Sequence, residues 1–159
     1  MTERLSAEAQ RVQDVIAAAG LELEVRELPA STRTAAEAAG AIGCEVSQIA
    51  KSLVFHRRES DAPLLVIASG SNRVNGEAVS ALIGERITLA AAEFVQARTG
   101  FTIGGVPPVG HASPMEVFID EDLRRHDEIW AAAGTSHAVF RLTPADLEAL
   151  TGGRVVRVT

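Results

Sequence analysis

The sequence predicts an α/β domain with a curved sheet, mixed and largely antiparallel, flanked by short helices. Three observations carry that prediction. Residues 52–58 (SLVFHRR) and 63–70 (PLLVIASG) are two β-rich runs joined by a charged connection at Glu59, Ser60 and Asp61, the pattern of an antiparallel pair. About seven or eight strands and five short helices alternate irregularly, with no repeated βα period. No Walker motif is present, and the glycine-rich stretch GVPPVG (105–110) opens no helix, which argues against a doubly wound nucleotide-binding fold. With 159 residues, 47% of them apolar, one domain over 1–159 can bury a core without disulfide or structural metal.

Each element follows from local chemistry. Ser6 caps a helix whose apolar positions Val12, Val15, Ile16 and Ala19 share a face and which stops at Gly20. Residues 21–28 (LELEVREL) alternate apolar and charged groups, predicting a half-buried strand ended by Pro29. Thr34 and Glu37 stand at capping-box spacing for a helix closed by Gly40 or Gly43. Residues 46–50 (VSQIA) read as one helical turn capped by Ser47, delivering the chain to the strand pair. Asn75 and Gly76 introduce a helix closed by Gly84; 86–90 is a short strand, and 91–100 a helix ending at Gly100. Between 104 and 110, three glycines and two prolines exclude regular structure. Strands follow at 115–119, 128–134, 137–142 and 154–158, and Thr143, Pro144 and Gly152 mark the cap, first turn and stop of a last helix.

Charge and composition narrow the function. A net charge of −6 disfavours a general nucleic-acid binder, which needs many cations to neutralise phosphates. The segment from Lys51 to His111 is nevertheless net +1, with six Lys/Arg against five Asp/Glu, while the remainder is −7. One end of a nucleic acid meets least repulsion there. No apolar run is long enough to cross a bilayer, and no basic stretch followed by an apolar one begins the chain, so a cytoplasmic location is expected. Cys44 has no cysteine partner and reads as a small buried residue. His56, His111, His126 and His137 lie far apart, without HxH or HExxH spacing, so neither a metal site nor a cofactor is expected. Ser69 in ASGS lacks the flanking pattern of a nucleophile elbow.

Two features carry chemistry. The rigid segment Gly104, Gly105, Pro107, Pro108 has glycine N–H groups that no Cβ shields; it reads either as an oxyanion-type donor pair or as a tight corner. Gly134 likewise borders a pocket or makes a hairpin turn. Lys51 is the single lysine beside fourteen arginines, at the start of an apolar run. Such a residue is either a solvated surface charge or one retained for its compact ammonium and flexible stem.

In order, IAKSLVF (49–55), LLVIASGSNRVN (64–75), TGFTIGGVPPVGH (99–111) and WAAAGTSHAVFRLTPADLEALTGG (130–153) resemble the YbaK/ProX family of aminoacyl-tRNA deacylases, related to the editing domain of prolyl-tRNA synthetases. The resemblance implies a barrel-like sheet and hydrolysis of the ester joining a wrong amino acid to the terminal ribose of a tRNA, by a freestanding trans-editing protein without a side-chain nucleophile. It also implies roles. Lys51 would hold the terminal phosphate or ribose; Gly104 and Gly105 would supply amide donors; Pro107 and Pro108 would shape the amino-acid pocket. Asn72, His111, Gly134 and His137 would line or border that pocket. Ser52 stands where some relatives acting on alanyl-tRNA carry asparagine, which leaves the preferred amino acid open. The implied partner is the aminoacyl-tRNA acceptor end, with a synthetase or elongation factor as a helper that offsets the acidic net charge. A non-catalytic aminoacyl-binding module and a hydrolase of small esters or thioesters are the competing readings.

Overall fold

In the computed structural model, which describes residues 4–159, eight strands form one mixed sheet. They are β1 (Val25–Glu27), β2 (Ile49–Arg57), β3 (Pro63–Ser69), β4 (Ile87–Leu89), β5 (Glu116–Asp120), β6 (Ile129–Ala132), β7 (Ala138–Leu142) and β8 (Arg154–Val156). Five helices flank them: α1 (Ala7–Ala18), α2 (Ala35–Ile42), α3 (Gly76–Ile83), α4 (Ala92–Thr99) and α5 (Pro144–Thr151). The sheet order is β1-β7-β6-β2-β3-β5-β8, with β4 added to β2. Pairs β2/β3, β2/β4, β1/β7 and β6/β7 are antiparallel, and β2/β6, β3/β5 and β5/β8 are parallel.

Strand alternation explains how one sheet feeds three apolar clusters. One face gathers Val25, Ala50, Val54, Leu65, Ile67, Val117, Ile119, Ala131 and Phe140 around Val12 and Ile16 of α1. On the other face, α3 brings Val79 against Leu64, Val66, Ala68 and Phe118, while α2 brings Ala38 and Ala39 against Ile49, Trp130 and Val139. All of β3 is buried, as its unbroken apolar run requires. Each fully buried Leu, Ile or Phe contributes about 1.5–3 kcal/mol over an exposed one. Among the described residues, no helix is long and apolar enough to cross a membrane.

Two expectations about local structure are corrected. The strand expected over 21–28 shrinks to Val25–Glu27, because the Gln13 side chain on α1 donates to Leu23 O (2.9 Å) and accepts from Val25 N–H (2.8 Å). A side chain thus takes the backbone groups that a longer strand would have used. The helical turn expected over 46–50 is a 3₁₀ turn at Val46–Gln48, capped by Glu45 in a reciprocal pair with Gln48 and not by Ser47. Ile49 and Ala50 join β2 instead, since they pair with Trp130 and Ala131.

Candidate active site

The parallel pairing of β2 with β6 lasts only two residues, Ile49 with Trp130 and Ala50 with Ala131. The same edge of β2 is covered again only from Phe55, where β4 begins to pair. A cleft of about 380 Å³ opens in the gap. Its walls are Lys51, Ser52 and Leu53 on β2, Ala132 on β6, Arg33 and Thr34 before α2, and Ile103, Gly104 and Val106 on the loop after α4. Among the described residues Arg33 and Lys51 are its only charged lining side chains, so this lining is positive in an acidic protein.

Ser52 stands at the centre of the gap. On the β3 side, Ile49 O accepts from Gly70 N–H (2.7 Å) and Arg57 N–H donates to Ala62 O (2.9 Å). On the other edge, Val54 O accepts from Ala90 N–H (3.0 Å) and Arg58 N–H donates to Arg86 O (2.9 Å). Backbone groups alternate along a strand, so Ser52 N–H and C=O point to the uncovered edge. Neither has a strand partner there among the described residues. The Ser52 hydroxyl is buried and likewise makes no hydrogen bond among the described residues. An unpaired buried hydroxyl costs about 1–3 kcal/mol, and such groups in a native fold call for a functional account.

Lys51, one residue earlier, faces the opposite side of the strand. Its Nζ donates to the backbone oxygen of Asn72 at 2.7 Å. Burial pushes the ammonium below the ordinary lysine pKa, and the charge of Asp120 opposes that shift. Asn72 is itself held: its side-chain amide donates to Asp120 Oδ2 and Asp122 Oδ2, each at 2.8 Å. Asp120 is 1% exposed and also accepts from Ser69 N–H at 3.0 Å and Asp122 N–H at 2.9 Å.

The glycine-proline loop divides between several tasks. Gly104 has φ +94°, and a Cβ there would lie 2.6 Å from Arg33 Cγ, so the Arg33 side chain crosses the cleft mouth where a larger residue would block it. Gly104 N–H donates to nothing among the described residues. Gly105 differs: its N–H donates within the loop to Thr102 O (3.0 Å), its O accepts from Gly134 N–H (2.9 Å), and a Cβ would meet the Thr135 backbone at 2.9 Å. Gly134 (φ +102°) lies against the start of α1, where a Cβ would sit 2.8 Å from Glu8 O.

A second cavity of about 390 Å³, among Val15, Pro108, His111, Met115, Leu150 and Thr151, holds Pro108 and His111. His111 Nε2 donates to Pro107 O at 2.7 Å, and burial lowers its pKa. His137 is exposed in the β6–β7 turn, its Nδ1 3.2 Å from Ser136 Oγ. Of the residues singled out from sequence, Lys51, Ser52 and Gly104 meet at the cleft, and Asn72 stands behind Lys51. Gly105 and Gly134 shape the supporting turns, Pro107 is buried beside the second cavity, and His137 lies on the surface. Arg33, Asp120 and Asp122 were not anticipated. Arg33 had only its place before a helix cap to single it out, and the two aspartates lay in what reads as an acidic turn. Among the described residues no cluster of His, Cys, Asp and Glu could hold a metal ion.

Residues 29–150 match the family model described as "Aminoacyl-tRNA editing domain". The chain belongs to that family. It is 34% identical over 134 residues to the uncharacterized protein YwhH of Bacillus subtilis (strain 168), spanning 84% of this chain and 85% of that protein. A solved structure described as "a putative trans-editing enzyme for prolyl tRNA synthetase" superposes with a TM-score of 0.92 at 49% identity, covering 98% of this chain and 99% of that one. A 95-residue stretch is 32% identical to the proline--tRNA ligase of Limosilactobacillus fermentum, covering 57% of this chain but only 17% of the ligase. The editing-domain family and its mixed α/β fold therefore agree with the resemblance carried by the four motifs.

Proposed function

We propose that this protein is a trans-editing deacylase: it hydrolyses the ester between a mischarged amino acid and the 3′-terminal ribose of a tRNA. The observation that carries the reading is the break between β2 and β6, which leaves Ser52 N–H and C=O without a strand partner among the described residues, beside the single lysine. The open edge offers one N–H and one C=O, both of Ser52, to the ester and ribose of an acceptor end.

The proposed reaction needs no side-chain nucleophile. Water adds to the ester carbonyl carbon, the carbonyl oxygen becomes an oxyanion, and the carbon–oxygen bond to the ribose breaks. The ribose oxygen takes a proton, giving free amino acid and tRNA with its hydroxyl restored. Backbone N–H groups placed where the negative charge develops lower the barrier most when they are fixed beforehand. Ser52 N–H and Gly104 N–H, both without partners among the described residues, are assigned that role. Gly105, whose N–H is engaged with Thr102, holds the loop in place. The Lys51 ammonium spends one of its three protons on Asn72 and has two for the terminal phosphate or ribose. Arg33 at the mouth adds a second cation for the same backbone. Pro107, Pro108, His111, Gly134 and His137 are assigned to supporting the loop and the β6–β7 turn. A synthetase or elongation factor is assigned the delivery of substrate, given the net charge of −6.

A panel of tRNAs, each charged with a wrong small amino acid, tests the reading. The expected result is catalytic release of amino acid from at least one of them. Saturable binding across the panel with no turnover would make the protein an aminoacyl-binding module instead. Faster turnover of free amino-acid esters than of any aminoacyl-tRNA would remove tRNA from the account.

A further inference from the structure

We propose that Asp120 is a positioning residue for Lys51, acting through Asn72. Asp120 closes β5 beside the end of β3, and its carboxylate is fully enclosed yet forms no ion pair among the described residues. A carboxylate in that position is costly unless donors fill its lone pairs. Three do: Oδ2 accepts from Ser69 N–H (3.0 Å) and Asn72 Nδ2 (2.8 Å), and Oδ1 accepts from Asp122 N–H (2.9 Å). The second amide proton of Asn72 goes to Asp122 Oδ2. With both protons committed and its own N–H donating to Ser69 O (2.9 Å), Asn72 is fixed in the turn after β3. Its backbone oxygen is thereby held 2.7 Å from Lys51 Nζ. The lysine stem is flexible, so what fixes its ammonium at the cleft is this acceptor and not the strand alone.

The arrangement needs a group that only accepts. In Asp120→Asn one oxygen becomes an NH₂, which must face either Ser69 N–H and Asn72 or Asp122 N–H, donor against donor. Volume is kept while the network cannot be. Asp122→Asn is milder at Asn72, because the amide oxygen can still accept its single proton, while the new NH₂ replaces the oxygen that pairs with Arg125 at 3.1 Å. Other charged groups of the segments meeting there are Arg33 before α2, Arg73 beside Asn72, Asp122 itself, Glu121 beside it, and Arg125, whose Nη2 lies 3.1 Å from Asp122 Oδ1. Of the charges around it, Asp120 is the one that supports the protonated form of Lys51.

Because Lys51 is the only lysine, protein grown with ¹³C,¹⁵N-lysine gives one side-chain NMR signal to titrate, with no assay of function. The wild-type signal is expected to titrate below the ordinary lysine value of 10.5. Asp120→Asn and Asn72→Ala are both expected to lower it further, since each removes support for the charged form, with Asp122→Asn changing it least. The rate arm rests on the proposed deacylase activity. There Asp120→Asn should lower kcat/KM by about 10²-fold, the order found for small misplacements of a catalytic group. Its alkaline limb should move to lower pH, because the protonated lysine is lost sooner as pH rises. Asn72→Ala, at a half-buried position after β3, carries the test if Asp120→Asn fails to fold. A Lys51 titration in Asn72→Ala or folded Asp120→Asn that superposes on wild type would overturn the proposal. A moved titration in a protein that deacylates nothing would leave the positioning role standing and remove the deacylase reading.

Discussion

Two cavities of nearly equal volume, about 380 and 390 Å³, lie in different parts of this protein, and only one has the makings of a site. The first interrupts a sheet edge, so it inherits unpaired backbone groups and a half-buried cation. The second lies where the loop 108–115 meets α1 and α5, and its titratable side chain among the described residues, His111, is turned onto the loop's own Pro107 carbonyl. Volume does not separate them. What separates them is whether polar groups are left unspent, since a group already paired within the fold has little to give a ligand.

The largest expected effect is at Lys51. Lys51→Ala should lower kcat/KM for deacylation by about 10²-fold, the order found when a group that positions the substrate is lost. Lys51→Arg should not restore it, because a planar guanidinium does not reproduce the reach of an ammonium. Steady-state rates on the best substrate of the tRNA panel decide both. Next comes Gly104→Ala, where φ +94° and the Arg33 stem 2.6 Å from a new Cβ force the loop to shift. Roughly 1–2 kcal/mol of strain corresponds to about a tenfold loss of kcat/KM. A rate equal to wild type would erase the distinction between this loop end and its Pro108 end.

The second cavity should answer in stability instead. Leu150→Ala is expected to lower unfolding free energy by about 1–2 kcal/mol, for a partly buried side chain, while kcat/KM stays within about twofold. Denaturant titration and the deacylation assay read the two quantities separately. The smallest effect is a pH slope. Burial holds the folded-state pKa of His111 below its unfolded value of 6.5, so its contribution to stability is complete above that pH. It declines as pH falls from 6.5 through the lower folded value, because the unfolded state takes up the proton first. His111→Gln should flatten that part of the stability profile and leave the deacylation rate near wild type.

Much of this was legible in the residues. The β2/β3 pair, the caps at Ser6, Thr34 and Thr143, and the stops at Gly84, Gly100 and Gly152 depend on local chemistry, and the structure has them all. Where a distant partner decided, the sequence was silent. The side chain of Gln13 shortened β1, and Trp130 and Ala131 drew Ile49 and Ala50 into β2. The site divides the same way. Lys51 stood out by composition and the loop by its glycines and prolines, but that Gly105 spends its N–H on Thr102 O depends on the conformation of the loop, and its close packing on the Thr135 backbone depends on a segment remote in sequence. Asp120 shares its segment with other acids, and only the approach of β3 to β5 separates it from them.

The most direct test places the acceptor end on the protein. An adenosine carrying its amino acid through an amide, which resists hydrolysis, can be titrated into labelled protein while backbone amides and the single lysine signal are followed by NMR. The account predicts saturable shifts at the Lys51 side chain and at Ser52 and Gly104 N–H, with the 108–115 segment unmoved. Shifts confined to His111, Met115 and Leu150, with Lys51 unchanged at saturation, would contradict it.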